Sequence, residues 1–391
     1  MDPMIASRSD ARLPQLDALR GLAALFVVFN HLTLAVPDEI RLAIQGDMLW
    51  SPEAWLNPWP WLRFTPFRLL VSNGAPVDLF FVLSGFVLAL PVTPAAQPAF
   101  WSFLIKRVCR IYIPFATSIL LVVCAYALIP TAPSAGASAW FNGKLHTPDL
   151  IEIVRHLAMI GAEGDARLNP VMWTLVHEMR VSLIMPLLFL AVRRFGAIPI
   201  LIICTLVSIW VSMTGARFDT GNWQTTLHVL WMFSAGIALA YNRARISPHI
   251  ARYGRTLFCS LVILALGLLS VPFSRIWGDF MIGIGATLLI ALCLPNHRLS
   301  RGLQVPPLLW LGRISYSLYL VHFPILLFLI ASGVASGPSL LLLVPILLGA
   351  ELLYRAVEAP AQRLGGMLAR QFQPAWVGPP ESVGRVSGSG R

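Results

Sequence analysis

The sequence predicts an all-α membrane protein, a polytopic bundle of about ten transmembrane helices with both termini in the cytosol. Apolar residue types make up 57% of the 391 residues and charged types only 12%, whereas about a quarter of a typical soluble chain is charged. Apolar runs of about 20 residues, the length that spans a bilayer as a helix, recur along the chain. Basic residues gather between alternate runs, as the positive-inside rule requires.

Each predicted span is a mostly apolar segment with few charges. The ten spans cover residues 17–36, 76–93, 111–130, 171–192, 197–214, 224–241, 256–273, 278–295, 308–331 and 338–357. An even number of spans places both termini on one side of the membrane.

The basic residues orient this bundle. With the N-terminus in the cytosol, twenty of the 29 Lys and Arg residues fall at cytosolic positions and eight in outer loops. The net charge of +11 is therefore explained by topology. Because the basic residues do not form one patch, we expect no nucleic-acid partner.

The chain divides into a short cytosolic segment at residues 1–12, a transmembrane domain at residues 13–363 and a Pro/Gly/Ser-rich tail at residues 371–391, expected to be disordered. Two outer loops are long, at residues 37–75 and 131–170. The Trp-rich first loop indicates an interfacial belt or a surface that binds sugar or lipid. The five cysteines lack zinc-site spacing, so no metal site is expected, and we interpret them as buried thiols without disulfides.

The first predicted helix carries three titratable residues. Arg20 and His31 are eleven residues apart, close to three helical turns, so they lie on one face about 16 Å apart along the axis. Asp17 precedes Arg20 by three residues, a spacing that permits an ion pair. Intramembrane titratable groups are costly, and this alignment favours function over packing alone.

The second helix and the following loop carry further polar residues. Asp78 lies near the outer end of the second helix, and Ser84 with Gly85 forms a small pair that favours helix packing. Arg107 and Arg110 follow in the next cytosolic loop, three residues apart. They are either an ordinary positive-inside anchor or a phosphate clamp, because guanidinium groups bind phosphate oxygens in a forked geometry.

The fourth helix contains His177, Glu178 and Arg180 within four positions. A passive span would not carry this density of charge, so an ion pair or a water-filled cavity must compensate. The ninth helix carries Tyr316, Tyr319 and His322 ahead of Pro324.

Pro324 is expected to kink the ninth helix and open a cavity, and Tyr319 to make a structural hydrogen bond. Near the end of the last helix, Glu351, Arg355 and Glu358 follow at four- and three-residue spacings. We interpret these three residues as a charged cytosolic cap.

Taken together, these segments resemble the membrane acyltransferase family 3, the bacterial O-acyltransferases of surface sugars and related acceptors. The resemblance extends from about Leu13 to about Arg363. The matching pieces are Arg20 with His31, the DLFFVLSGF segment from Asp78 to Phe86, Arg107 with Arg110, the WTLVHE segment from Trp173 to Glu178, LGRISYSLYLVHFP from Leu311 to Pro324, and Glu358 with Pro360. Their order, on a matching topology, makes the signal specific.

The resemblance implies transfer of an acyl group, with acetyl the default, from cytosolic acyl-CoA to a hydroxyl of a sugar-containing acceptor at the inner membrane. His31 is then the expected catalytic base, with Arg20 and Glu178 as further essential residues. Arg107, Arg110 and Asp17 are expected at the donor. The expected acceptor-side residues are Asp78, Ser84, Trp173, His177, Tyr316 and His322. Acyl-CoA is a co-substrate, and no permanently bound cofactor is expected.

One departure from the family pattern concerns the acceptor pocket, because Arg180, Val181 and Ser182 stand where the family usually has an aromatic pair. The sequence also lacks the hydrolase-like domain of some relatives, so this chain is expected to finish the transfer alone or with a separate protein.

Two other functions could use the same polar residues. A transporter would use them as a proton or substrate path, although the halves show no repeat. A membrane scaffold or sensor would use them only to hold helices together.

Overall fold

The computed structural model describes residues 13–41, 56, 58–72, 74–90, 100–159, 167–214, 222–271, 275–294 and 298–372, and every regular element in these ranges is helical. The first eight α-helices are α1 (Pro14–Ala35), α2 (Asp38–Arg41), α3 (Pro58–Phe64), α4 (Ala75–Ala89), α5 (Phe100–Leu128), α6 (Ala139–Asn142), α7 (Leu150–Ala158) and α8 (Met172–Phe195). They are followed by α9 (Ala197–Met213), α10 (Trp223–Ala251), α11 (Arg255–Leu269), α12 (Arg275–Cys293), α13 (Arg298–Leu303), α14 (Pro306–Ala331), α15 (Leu343–Leu353) and α16 (Ala359–Arg370). Short 3-10 turns cover Pro66–Val71 and Leu340–Leu342, and one π-helical turn, Tyr354–Glu358, joins α15 to α16.

The helices confirm a helical membrane protein. Within the described ranges, five helical runs are long and apolar enough to cross a bilayer, namely α1, α5, α8, α14 and the run Leu340–Arg370. Shorter apolar helices are α4, α9, α11 and residues Trp277–Cys293 of α12. Each of the ten predicted spans overlaps a helix, while the number that cross and the side of the termini stay predictions. The predicted tail and the N-terminal segment fall almost wholly outside the described residues, as does residue Trp55 of the Trp-rich loop.

Large apolar side chains face outward, as a lipid solvent allows. Leu206 on α9 is 60% exposed and Leu352 on α15 is 69% exposed. Cys124 and Cys259 are exposed free thiols, which corrects the expectation that the cysteines are buried. Their apolar neighbours explain the difference, because a thiol on a lipid-facing helix is exposed by geometry but is not in water.

The bounds of α5 correct the third predicted span. The helix begins at Phe100 and not near residue 111, so Arg107 and Arg110 lie on the helix and not in a loop before it. A hydropathy profile ends an apolar segment at a charged residue, because it does not include the distant residue that pairs with the charge. Arg107 is buried against α8, where its guanidinium is hydrogen-bonded.

The ninth predicted span also differs in detail. α14 continues through Pro324 to Ala331, and the two chambers described below do not border Pro324. A proline leaves the carbonyl four residues earlier without its helical donor. Here the side-chain amide of Asn169 donates to that carbonyl, on Leu320, over 3.2 Å, so the carbonyl is satisfied. A kink and a cavity at Pro324 stay predictions.

The buried side chains form two apolar clusters that share α1 and α8. The first cluster is built mainly on α4, α10 and α12, and the second mainly on α5, α14 and α15. The N-terminal half of α1 belongs to the first cluster and its C-terminal half to the second, while α8 contributes to them in the opposite order. The polar groups of the site lie where these clusters meet.

Glycines hold the central helices at backbone contact. A Cβ atom on Gly21 of α1 would lie 2.5 Å from the backbone nitrogen of Gly312 on α14. Gly85 of α4 packs in the same way against the backbone of Phe233 on α10, and Gly236 against Val82. The prediction that Gly85 serves helix packing is confirmed, and small residues here follow the general rule for helix contacts in lipid.

We expect Gly312→Val to destabilise the bundle, because the new side chain would meet the backbone of Asp17 and Ala18. Overpacking of this kind costs roughly 1–3 kcal/mol, and more where backbone must move. Thermal unfolding in detergent measures the effect. Gly366→Val on α16 is the control, because no atom lies within 4 Å of a Cβ at that position; equal melting temperatures for the two variants would contradict the packing role of Gly312.

Candidate active site

Two neighbouring chambers lie among α1, α4, α5, α8, α14 and α16. The larger has a volume of about 310 Å³ and the smaller about 80 Å³. The residues that line both are Arg20, Val87, Arg110, Ser315 and Tyr316. The larger chamber lies at the N-terminal end of α1, which the sequence places in the cytosol, and the smaller extends past Phe80 and Thr174 toward the predicted outer side.

Arginine side chains dominate the charge where the two chambers meet. Arg20 and Arg110 line both, and within the described residues no hydrogen bond engages either guanidinium. The two positive charges repel each other, while Asp17 and Glu178 attract Arg20. The predicted ion pair between Asp17 and Arg20 stays a prediction. The geometry leaves guanidinium donors available to an anionic ligand.

Arg107 and Glu178 form an ion pair in the wall of the smaller chamber. The terminal nitrogen of Arg107 lies 2.9 Å from Oε1 of Glu178, and Nε of Arg107 donates to Ser182 Oγ over 3.1 Å. Ser182 in turn donates to the carbonyl of Glu178, and Ser84 donates to Oε1 at 3.5 Å. This network ties α5, α8 and α4 together and satisfies a charge that would otherwise be buried alone.

Glu358 is a site residue that the sequence analysis assigned to an exposed cap. Its side chain is 3% exposed and lines the larger chamber. It accepts hydrogen bonds from the backbone and hydroxyl of Ser317, at 3.2 and 2.6 Å, and from Gln362 at 3.0 Å. Glu351 and Arg355 do form the predicted cap, at 2.6 Å. The Glu-x-Pro motif of Glu358 and Pro360, which Glu351 and Arg355 lack, is the sequence signal that could have identified Glu358 as a site residue.

Two tyrosines of α14 border the chambers. The hydroxyl of Tyr316 donates to the carbonyl of Ile111 over 2.7 Å. Tyr319 is buried and its hydroxyl shares a 2.6 Å hydrogen bond with Thr174, which confirms the predicted structural bond. The ring of Tyr319 closes one side of the smaller chamber, with Phe80 edge-on against it at 5.7 Å between centroids.

His31 and His322 form a buried pair on the far side of Tyr319. Nδ1 of His31 lies 2.9 Å from Nε2 of His322, and Nδ1 of His322 lies 3.1 Å from the carbonyl oxygen of Leu318. The ring of Trp140, from α6, stacks on His31 with 5.6 Å between centroids. Neither histidine lines a chamber, and the rings of Tyr319 and His322 are 6.2 Å apart.

Several predicted site residues lie away from the chambers. His177 is fully buried and hydrogen-bonds Thr226 at 2.9 Å, with Trp173 edge-on to its ring. Asp78 is buried in the first turn of α4 and does not border either chamber. Arg180 is placed over the ring of Trp223 at 4.2 Å; it is Arg107, and not Arg180, that pairs with Glu178. Among the described residues no group of His, Cys, Asp and Glu side chains has the arrangement of a metal site.

Residues 13–353 match the sequence profile of the acyltransferase domain family Acyl_transf_3. The chain belongs to this family. It carries the acyltransferase domain of that family, and its apolar helices make it a multi-pass membrane protein. The match favours the acyltransferase interpretation over the transporter and scaffold interpretations.

Curated relatives are named as O-acetyltransferases. The chain is 24% identical to the putative peptidoglycan O-acetyltransferase YrhL of Bacillus subtilis, over 90% of this chain and 55% of that protein. It is also 24% identical to OatA of Staphylococcus aureus, over 90% and 58%, and to PaAT-1 of Phomopsis amygdali, over 80% and 71%. The chain thus spans little more than half the length of the two bacterial relatives. No solved structure shows significant similarity to it.

The Arg107–Glu178 pair can be tested by a double-mutant cycle with Arg107→Gln and Glu178→Gln. Each single change leaves one partner buried without its counter-charge, whereas the double change removes both charges. The summed destabilisation of the two single variants should therefore exceed that of the double variant. We expect a coupling of about 0.5–3 kcal/mol in thermal or chemical unfolding. Arg313→Gln with Glu351→Gln is the control cycle, because Arg313 is exposed and such pairs contribute little. Additive effects at Arg107 and Glu178 would contradict a pair that stabilises the bundle.

Proposed function

We propose that this protein is an O-acyltransferase that moves an acetyl group from cytosolic acetyl-CoA to a hydroxyl of a carbohydrate acceptor at the inner membrane. The observation that carries this proposal is the pair of arginines, Arg20 and Arg110, that line both chambers without a hydrogen bond among the described residues. Guanidinium N–H groups that are not used within the protein can donate to a ligand, and phosphate oxygens are well suited to accept from them.

The larger chamber fits the donor. Coenzyme A is a nucleotide with phosphate groups on a long, flexible arm, and its charged end needs cationic partners. Arg20 and Arg110 supply them, and Gln362 and Ser315 add polar groups to the same wall. The chamber also lies at the end of α1 that the distribution of basic residues places in the cytosol, where acyl-CoA is available.

The smaller chamber favours a short acyl group. At about 80 Å³ it is half the size of the roughly 150 Å³ cavity that accepts benzene in an engineered protein core. Most of its lining residues are apolar, among them Val77, Phe81 and Leu175. A two-carbon acyl group matches this space, while a long chain would require the helices to separate.

The acceptor side is supported by the surroundings of His31. Its ring stacks on Trp140, which belongs to the long segment 131–170 that the predicted topology places outside. Lys144 of the same segment lies 5.9 Å from the centre of the Trp140 ring. An aromatic face beside a polar group is a suitable platform for a sugar, and YrhL is named for peptidoglycan.

The proposed chemistry is base-assisted attack of a hydroxyl on a thioester. A hydroxyl is a weak nucleophile and needs a base within hydrogen-bond reach, for which a neutral imidazole is suited. The acceptor oxygen bonds to the acyl carbon, the carbon–sulfur bond breaks, and the thiolate leaves with the proton that the base took from the hydroxyl. Transfer requires the acyl carbon and His31 to meet across the position now held by Tyr319.

Arg110→Gln should weaken donor binding without removing the base. We expect KM for acetyl-CoA to rise by roughly 10- to 100-fold, the range of one charge-assisted contact of about 1.5–3 kcal/mol, with a smaller change in kcat. Arg245→Gln, at an exposed position on α10, is the control and should leave both constants unchanged. An unaltered KM for Arg110→Gln would argue against a donor site in the larger chamber.

The function itself is tested in membrane vesicles that contain the protein, radiolabelled acetyl-CoA and a glycan extract. The comparison is between wild type, His31→Gln and the exposed-histidine control His249→Ala, at matched expression and melting temperature. Label should reach the glycan with wild type and the control, and should fall at least about 100-fold with His31→Gln. Undiminished transfer by a folded His31→Gln protein would remove His31 from the mechanism.

A further inference from the structure

We propose that His322 is a positioning residue that fixes the tautomer of His31, so that Nε2 of His31 carries the lone pair that acts as the base. This inference rests on the proposed function, because it assigns a partner to the base of that reaction. It gives His322 a role different from the acceptor contact expected from the sequence.

The tautomers follow from the chain of hydrogen bonds. A backbone carbonyl only accepts, so the 3.1 Å contact between His322 Nδ1 and the Leu318 oxygen requires the proton on Nδ1. In a neutral His322 ring, Nε2 is then the acceptor. The 2.9 Å contact from His31 Nδ1 to this atom therefore requires the proton on Nδ1 of His31, and Nε2 of His31 is left with its lone pair.

The alternative proton placements fail on the same geometry. A proton on Nε2 of a neutral His322 would leave an unprotonated Nδ1 against the Leu318 oxygen, which only accepts. A proton on both nitrogens would demand that His322 carry a positive charge in a fully buried position. A single neutral arrangement therefore satisfies both contacts in which His322 takes part.

Packing holds the two rings in the orientation that this arrangement needs. His322 is completely buried and His31 is 7% exposed. Trp140 stacks on His31, and Phe323 packs edge-on to Trp140 at 6.2 Å. Because Nδ1 of His31 is engaged by His322, Nε2 is the atom that a hydroxyl can meet.

The pair also accounts for the fate of the proton. When His31 takes the hydroxyl proton on Nε2, its ring becomes an imidazolium that still donates from Nδ1 to His322. The positive charge is thus hydrogen-bonded inside the bundle while the acceptor oxygen bonds to the acyl carbon. The proton then leaves from Nε2 to the departing thiolate, which restores the starting pair and yields an ester and free coenzyme A.

Two variants of His322 separate positioning from packing. His322→Phe keeps a ring of similar size but removes the acceptor, so His31 is free to adopt the wrong tautomer. We expect kcat to fall on the order of 10²–10⁴-fold with KM for acetyl-CoA unchanged. His322→Gln restores an acceptor oxygen near the position of Nε2 and should recover kcat to within about tenfold of wild type. Wild-type kcat in a folded His322→Phe protein, or equal loss in both variants, would overturn the proposal.

A second measurement does not depend on activity. Nitrogen NMR of protein labelled in its histidine rings distinguishes the two tautomers, and the difference between wild type and His31→Gln identifies the His31 signals among the eight histidines. We expect unprotonated Nε2 and protonated Nδ1 in wild type, and a mixture in His322→Phe. A proton on Nε2 of His31 in wild type would refute the inference. If the tautomer is as expected but acetyl-CoA gives no transfer, the proposed function fails instead.

Discussion

The cost of placing charge inside an apolar bundle governs this structure. Arg107 is buried, and its guanidinium is stabilised only because Glu178 and Ser182 of α8 meet it at hydrogen-bond distance. That requirement fixes how α5 and α8 approach each other. Ser84 on α4 adds a third helix to the same network, so one ion pair sets the wall of the cavity on which the chemistry depends.

The remaining chemical groups are concentrated on two helices in backbone contact. Arg20 and His31 belong to α1, and Tyr316, Tyr319 and His322 to α14. Because Gly21 meets the backbone of Gly312, these side chains share one rigid frame. The glycine contact lies beside Arg20, at the end of the frame nearest the larger chamber, while the histidine pair lies about three turns away along the same helices.

The sequence predicted the helical membrane class, the order of the helices and several of the polar residues around the cavity, because apolar run length and buried charge are local signals. Arg20, Arg110, Ser84 and Tyr316 were named in advance, and all line a chamber. The start of α5 and the burial of Glu358 were missed, because both depend on partners far along the chain.

His177 was named alongside Glu178, yet the two side chains point to different neighbours, Thr226 and Arg107. Adjacent positions on a helix are turned by about 100° from each other, and sequence alone does not say which direction faces the cavity. The partnership of His31 with His322 joins residues 291 positions apart, so no spacing rule could have indicated it.

The position of the Tyr319 ring bears on when the proposed reaction can take place. It stands between the chamber proposed for the thioester and the histidine proposed as the base, and its hydroxyl is tied to Thr174. In this arrangement the ring of Tyr319 lines the smaller chamber with Phe80 and lies 6.2 Å from the ring of His322. Under the proposed function, the thioester and the base would meet only when this ring moves, and the same ring would limit hydrolysis of the thioester between turnovers.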